Sequence, residues 1–561
     1  MPKKILTFFN REFNGINEAA LLLGGFAFLS QILGLIRDRA LASIVGASPT
    51  LDVYYAAFRI PDFIYISIAS LASVTVLLPF LINKMKEDNN NDKARLFLNN
   101  VFSAYMLFMI TISIIISIFM PYIAVYIAPG FGESQLASLV TTSRIMLLSP
   151  IFIGLSNMIG SVTQLFRNFF IFSLSPIFYN LGILSGIIFL YPIFGVYGLA
   201  YGVILGAILH LLVQVPVVVR HGLFPRLTFK IKWREIYNVT KLSIPRTLAL
   251  SCNSLAFIVL IAMASTLKEG SISLFTFSFN LQSVPVGIIG ISYSVAAFPI
   301  LVRSFSLNDM DNFITHIIGA AKQIIFWSLP IIALIAVLRA QIVRVVLGSN
   351  AFSWSDTRLT AAAIALFIVS LVTQSLVLLF VRGYYAAAKT KTPLIVNVFS
   401  SVMVIIFAYI TLFIFKNYPN TLYSIESILR VKDVPGTIML ALPIAYALGS
   451  ILNFFLIWIM FKKDFLKGRG TMLYKTFLES SLSAITMGLF AYISLNFFSY
   501  IFDLDTFLGI FLQGLISGLI GIGAGVLVLY IFKNQELLDI AKALSHKFSN
   551  KNIVAPEQTD L

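Results

Sequence analysis

The sequence predicts an all-α polytopic membrane protein with about 14 transmembrane helices, and three observations carry that prediction. The 561 residues are 58% hydrophobic and only 11% charged, with a mean hydropathy of +0.92, where an ordinary soluble domain has roughly 25% charged residues. Apolar runs recur along the whole chain at the length of about 20 residues that a bilayer core demands. Basic residues gather in alternate connections between those runs, the pattern of loops held on the cytoplasmic side. The formal net charge of +16 is therefore a topology signal, and no nucleic-acid partner is expected. Cys252 permits no internal disulfide, and His210, His221, His316 and His546 are scattered along the chain, so no metal or cofactor cluster is expected.

Taken in order, helix 1 is predicted over 18 to 46. The Lys3, Lys4 and Arg11 that precede it imitate a signal peptide, but the apolar run from Ala19 to Ala47 is too long for a cleaved segment. Helix 2 (50 to 82) is followed by Lys84, Lys86, Lys93 and Arg95. Helices 3 (97 to 127), 4 (137 to 165), 5 (170 to 192) and 6 (195 to 219) come next, and Arg220, Arg226, Lys230, Lys232 and Arg234 follow helix 6. Helices 7 (240 to 266), 8 (271 to 302), 9 (313 to 347), 10 (357 to 386), 11 (393 to 415) and 12 (437 to 461) lead to Lys462, Lys463, Lys467 and Arg469. Helices 13 (473 to 499) and 14 (506 to 532) complete the set. Odd-numbered helices are followed by few basic residues. The exceptions Lys268, Arg358, Lys416, Arg430 and Lys432 are partly offset by Glu269, Asp356, Glu426 and Asp433, which assigns both termini to the cytoplasm.

Basic and apolar residues alternate from Leu223 to Tyr237, as in an interfacial linker that meets anionic membrane lipids, and this marks the boundary between two halves. Pro176 followed by Asn180 is echoed by Pro393 followed by Asn397, and Leu205-Gly206-Ala207-Ile208-Leu209 by Leu448-Gly449-Ser450-Ile451-Leu452. This internal repeat points to two six-helix lobes around a central cavity, a common transporter plan. The expected organisation is an N-terminal lobe (1–219), an amphipathic linker (220–239), a C-terminal lobe (240–465), helices 13 and 14 (466–533) and a cytoplasmic tail (534–561). In the tail, Leu537, Ile540, Leu544 and Phe548 recur at helical spacing, which fits either a surface-lying amphipathic helix or a solvated tail.

Ionisable groups inside spans are costly and face a cavity or a partner. Helix 1 carries Gln31, Gly34 and Asp38 at i, i+3 and i+7, with Arg37 beside them. Helix 2 carries Asp52, Tyr55, Arg59 and Asp62 at i, i+3, i+7 and i+10, so each set follows one helical face. Pro61 removes a backbone donor and loosens the bonding of the Ala57 carbonyl, which makes it the candidate hinge. Two readings follow: a hydrated, bent cavity wall, or an Arg/Asp network that locks helices 1 and 2 or sits at the interface. Gly514, Gly518, Gly521 and Gly525 are spaced for close helix packing, not for a nucleotide loop. Arg382, Lys389 and Lys391 serve either a phosphate or topology. No nucleophile elbow, Walker loop or HExxH motif occurs, so nothing favours an enzyme.

At Leu33-Gly34-Leu35-Ile36-Arg37-Asp38, Gly46-Ala47-Ser48, Asp52 and Ala56-Ala57-Phe58-Arg59-Ile60-Pro61 the chain resembles the MurJ/MviN family. These are the lipid II flippases of peptidoglycan synthesis, within the MATE-like multidrug/oligosaccharidyl-lipid/polysaccharide exporter superfamily. Ala128-Pro129-Gly130-Phe131, Gly270-Ser271 with Pro285 and Pro299, and Lys391-Thr392-Pro393 follow in family order. The resemblance implies two six-helix lobes around a V-shaped cationic cavity for a pyrophosphate and sugar-peptide head. It also implies a groove for the polyprenyl tail at helices 13 and 14, and alternating access. Arg37, Asp38, Asp52 and Arg59 match the family's charged cavity residues. Gln31, Tyr65 and Asn280 stand where the family has arginines, and Phe279 where an acid is usual. Less charge-assisted bonding is then available to a pyrophosphate. A sodium site found in some members is reduced to the candidates Asn397 and Ser401, because Leu260 occupies its acid position.

The expected function is translocation of lipid II, an undecaprenyl-pyrophosphate-type lipid-linked glycan, from the cytoplasmic to the outer leaflet of a bacterial plasma membrane. It would need no cofactor and would be driven by the membrane potential or a cation gradient. The alternatives are an exporter of another polyprenyl-linked saccharide, a MATE-like drug exporter, and a transport-inactive membrane scaffold.

Overall fold

In a bilayer core the backbone has no water to bond, so each apolar run must close its hydrogen bonds within itself as helix. The computed structural model, which describes residues 16–68, 74–86, 92–166, 168–466 and 473–539, follows this rule at every predicted segment. No strand occurs among the described residues. Numbered as predicted, the spans are α1 (Ile16–Ile44), α2 in three pieces (Pro49–Ala57, Arg59–Ile68 and Val74–Lys86), and α7 (Trp233–Ser265). The others are α3 (Asp92–Ile127), α4 (Glu133–Leu165), α5 (Phe169–Phe194), α6 (Val196–Arg220), α8 (Ser271–Ser306), α9 (Met310–Leu347), α11 (Lys391–Asn417), α12 (Thr437–Leu466), α13 (Tyr474–Phe498) and α14 (Phe507–Ile531). These ten are each long and apolar enough to cross a membrane, and α10 (Trp354–Ile368 with Leu371–Ala386, bent by 46°) makes eleven. In α2 no single piece reaches that length, and α7 contributes the shorter apolar stretch Ser251–Ser265.

The interruption of α2 has a local cause. Ser48 caps its first piece by accepting from the Leu51 N–H, and the piece ends at Phe58. Pro61, three residues on, has no N–H to give to the Ala57 carbonyl, so the ladder is broken there and restarts from the Asp62 N–H to the Phe58 carbonyl at 2.9 Å.

By contact density the chain forms two compact units, residues 1–281, 346–367 and 390–452, and residues 282–345, 368–389 and 453–561. In the first, a core of Ile64, Leu81, Phe97, Met109, Met158 and Val218 joins α2, α3, α4 and the end of α6. The linker after α6 is fastened to α3, with the Arg226 N–H on Asn99 Oδ1 and the Thr228 N–H on Ser103 Oγ, both at 2.7 Å. Phe229, Trp233 and Tyr237 remain exposed there, as aromatic residues at a headgroup boundary are. In the second unit α13 and α14 pack along the glycine stripe. A Cβ on Gly521 would fall 2.7 Å from the Met487 carbonyl oxygen and 2.9 Å from the Ala491 Cβ, so close approach explains the spacing. Of the tail's helical pattern, Ile540, Leu544 and Phe548 lie outside the described residues.

Candidate functional site

The polar residues of α1 and α2 are divided among a stitched cluster, a polar chamber and a helix cap. The cluster centres on Asp38, only 2% exposed. Its Oδ1 accepts from Arg37 Nε at 3.0 Å and Nη2 at 2.8 Å, and its Oδ2 accepts from Asn280 Nδ2 at 3.0 Å. Arg37 Nη1 reaches Asn180 Oδ1 at 3.4 Å, and the Asn180 amide donates to Ser30 Oγ at 3.3 Å and to the Pro176 carbonyl at 3.1 Å. Side chains from α1, α5 and α8 are thereby held in one network. Arg37 keeps a quarter of its side chain exposed, so the network presents a partly neutralised cation flanked by amides.

Arg59 is a different kind of cation. Its Nε donates to the Tyr55 carbonyl at 3.0 Å, one turn back, and its guanidinium lies 4.9 Å from the centre of the Phe257 ring on α7. Among the described residues it forms no direct ion pair, though it feels the charge of Asp62 three residues on, and its plane is oriented by a carbonyl and an aromatic face.

The chamber, about 290 Å³, opens beside the break in α2. Its polar lining comes from Asp62 and Tyr65 of α2, Ser149 of α4, Tyr179 of α5 and His210 of α6, with Pro61 and Phe58 forming part of its wall. Tyr65 Oη accepts from Asn157 Nδ2 at 2.8 Å, and His210 Nδ1 meets Ser156 Oγ at 2.7 Å.

Asp52 lies with neither group. It is 4% exposed, its Oδ2 accepts from the Gly270 N–H at 2.7 Å, and its Oδ1 accepts from the Ser273 N–H at 2.8 Å and Ser273 Oγ at 2.6 Å. The acid caps the N-terminus of α8, where unpaired amides and the helix dipole favour a negative charge. Gly270 holds φ at +85°, a left-handed turn that lets its N–H face the carboxylate. Both of the acid's oxygens are directed into the fold.

The remaining sequence-predicted residues are more dispersed. Gln31 is half-buried on α1 next to Ser30, while Tyr65 belongs to the chamber and Asn280 to the Asp38 network. Asn397 and Ser401 lie one turn apart on α11, which packs on α7, where Leu260 is buried and offers no oxygen. Sequence reading overlooked Asn180, although its place after Pro176 in the internal repeat was a signal, and it gave no role to Ser149, Tyr179 or His210, which carry no motif.

A family model described as Lipid II flippase MurJ matches residues 41–512. The chain is 24% identical over 449 residues to a "Probable lipid II flippase MurJ" of Buchnera aphidicola subsp. Baizongia pistaciae, covering 79% of this chain and 83% of that one. It is 27% identical over 388 residues to a protein of the same description from Rhizobium tropici, covering 67% and 71%. It is 23% identical over 384 residues to "Lipid II flippase MurJ" of Burkholderia cenocepacia, covering 67% and 74%. Among solved structures, "Lipid II flippase MurJ, inward closed conformation" superposes with a TM-score of 0.72 at 23% identity, over 91% of this chain and 98% of that one. An inward-facing multidrug resistance MATE family transporter of the MOP superfamily superposes with a TM-score of 0.61 at 17% identity, over 79% and 96%. These two likenesses are likenesses of fold.

Proposed function

The chain belongs to the lipid II flippase MurJ family, and from that membership we infer that it is a flippase that carries lipid II across the bilayer. The observation that carries this reading is the family match across residues 41–512, which takes in α2 and α8 whole and only the last residues of α1, after Gln31, Arg37 and Asp38. Its setting is a multi-pass membrane protein. We place it in a bacterial inner membrane with both termini in the cytoplasm, a reading supported by the basic connections after the even-numbered helices.

The polar groups of α1, α2 and α8 divide the work on the cargo head. Arg59, in no ion pair and held flat by Phe257 and the Tyr55 carbonyl, is the phosphate anchor, because a planar fork binds a phosphate through two parallel bonds. Arg37 shares its charge with Asp38 and contributes a weaker second contact, with Asn180 and Asn280 as hydrogen-bonding amides around it. Asp52 takes no part in cargo binding and holds the start of α8 instead. The break in α2 at Phe58 is the hinge of an alternating-access cycle, in which two lobes expose the head first to the cytoplasm and then to the outside. The cycle requires the cargo to bind the two states unequally, since equal affinity shifts no population.

The experiment is depletion of the protein followed by analysis of which lipid-linked precursor accumulates and in which leaflet. Lipid II retained in the cytoplasmic leaflet, and restored by the parent chain but not by Arg59→Ala, is the expected result. Accumulation of a different polyprenyl-linked saccharide would reject the assignment.

A further inference from the structure

The chamber beside the α2 break is too small for the cargo. About 290 Å³ lies at the bottom of the range for small-ligand pockets, and a pyrophosphate carrying sugars and a peptide is far larger. The chamber nevertheless has Asp62 at its wall, an accessible carboxylate with no hydrogen-bond or ion-pair partner for its oxygens among the described residues. An ionised carboxylate within a membrane segment is costly unless something neutralises it. Arg59, one turn earlier, offsets that charge through space but makes no direct bond to it, because its guanidinium is turned to the Tyr55 carbonyl and the Phe257 ring, so the Asp62 oxygens stay open to a ligand.

The other groups around Asp62 narrow the choice of ligand. Tyr65 lies one turn further on α2, and its oxygen already accepts from Asn157. From α5 comes Tyr179, whose hydroxyl is bonded to Ser149 of α4, and from α6 comes His210, whose Nδ1 meets Ser156 Oγ. Tyr54 lies in the first piece of α2, and α7 presents the neutral ring of Phe257. An alkali-metal cation seeks several oxygens at once, whereas here one anionic group stands among hydroxyls that are already engaged. A proton needs only the carboxylate.

We propose that this chamber is a proton-binding site, with Asp62 as the acceptor, separate from the arginines that meet the cargo. A proton from water adds to a carboxylate oxygen of Asp62 and leaves the neutral acid, and the reverse step returns it. The charge that appears or disappears lies one turn from Arg59, so the state of the chamber is felt at the phosphate anchor. The assignment of the proton site itself does not depend on what the cargo is.

The test is infrared difference spectroscopy of the purified full-length protein between acidic and alkaline buffers. The parent is expected to show a carboxylic-acid C=O band that titrates. The band should vanish in Asp62→Asn, persist at a shifted position in Asp62→Glu, and survive His210→Gln. Because the glutamate variant keeps a carboxyl at the chamber, it decides the matter even where the asparagine variant folds poorly. A titrating band unchanged in Asp62→Asn, or lost in His210→Gln, would overturn the assignment. So would displacement of the band by sodium at constant pH, which would make the ligand a metal cation.

Discussion

Helix α2 carries two aspartates ten residues apart on one helical stripe, and they have opposite surroundings. Asp52 is buried with three donors on its two oxygens, all from the start of α8. Asp62 faces a chamber and has none among the described residues. A buried acid whose lone pairs are matched lowers the energy of the fold it joins, whereas an accessible, unmatched one such as Asp62 is completed by a ligand, a proton or water. Asp38, 2% exposed, also has three donors, two from Arg37 and one from Asn280, and so stands with Asp52. The degree of satisfaction separates acids that hold the fold from acids that do chemistry, and position on a helical stripe does not.

The contrast breaks most readily at Asp52. Replacing it with alanine removes three charge-assisted bonds and strands the Gly270 and Ser273 amides, at a cost of roughly 3 kcal/mol or more. Asp52→Ala should therefore fail to accumulate in the membrane, or unfold well below the parent in a thermal melt in detergent. Normal accumulation with an unchanged Tm would erase the distinction between the two aspartates.

The next effect, at Arg59, falls on transport and spares the fold. Arg59→Ala should abolish lipid II translocation in a complementation assay while membrane levels stay near normal, because a cavity cation in no direct ion pair serves binding more than packing. Arg37→Ala, by contrast, strips the buried Asp38 of its ion pair and should lower membrane level and transport together. Arg59→Lys should keep partial activity, since a point charge attracts phosphate without the two-pronged fork. Failure of Arg59→Ala to accumulate would instead make Arg59 part of a locking network.

A smaller gain is expected from arginine at Gln31, Tyr65 and Asn280 together. Each addition is worth about 1.5 to 3 kcal/mol before desolvation. The structure offsets two of them, because an arginine at 280 would face Asp38 and one at 65 would share the chamber with Asp62. Lipid II binding followed by native mass spectrometry should tighten by about tenfold, equivalent to about 1.4 kcal/mol, with Gln31→Arg alone giving most of it. Equal contributions from the three single variants would mean that Asp38 and Asp62 are already neutralised.

The smallest effect belongs to the exposed loop before α12. There Asp433 pairs with Arg358 of α10 through two bonds of 2.7 Å, from Nη1 and Nη2, and Nη2 also donates to the Arg430 carbonyl. The guanidinium holds the Asp433 carboxyl below its ordinary range. Any stability from this pair is therefore present above the usual carboxylate pKa and lost only as pH falls through the depressed value. Asp433→Asn should leave the melting temperature unchanged at neutral pH, because solvent screens the pair. A clear drop would show that exposed ion pairs hold this fold as firmly as the Asp52 cap.

Much of the architecture was legible along the chain because hydropathy is a local quantity: a run of about 20 apolar residues has one good solution in lipid, whatever surrounds it. Among the described residues each of the fourteen predicted segments is helical, Pro61 marked the break in α2 within three residues, and the block around Arg59 lies within the family match. The partners of the polar groups were not legible. Nothing near Asp52 in sequence shows that its carboxylate would cap a helix that begins more than 200 residues later, at Gly270 and Ser273. Nothing near Asp62 shows that Tyr179 and His210 would close a chamber around it. Whether a lone pair is satisfied depends on donors brought together from distant segments, so the sequence settled where the helices run, while only the packed structure decided which of their acids hold the fold and which are left to react.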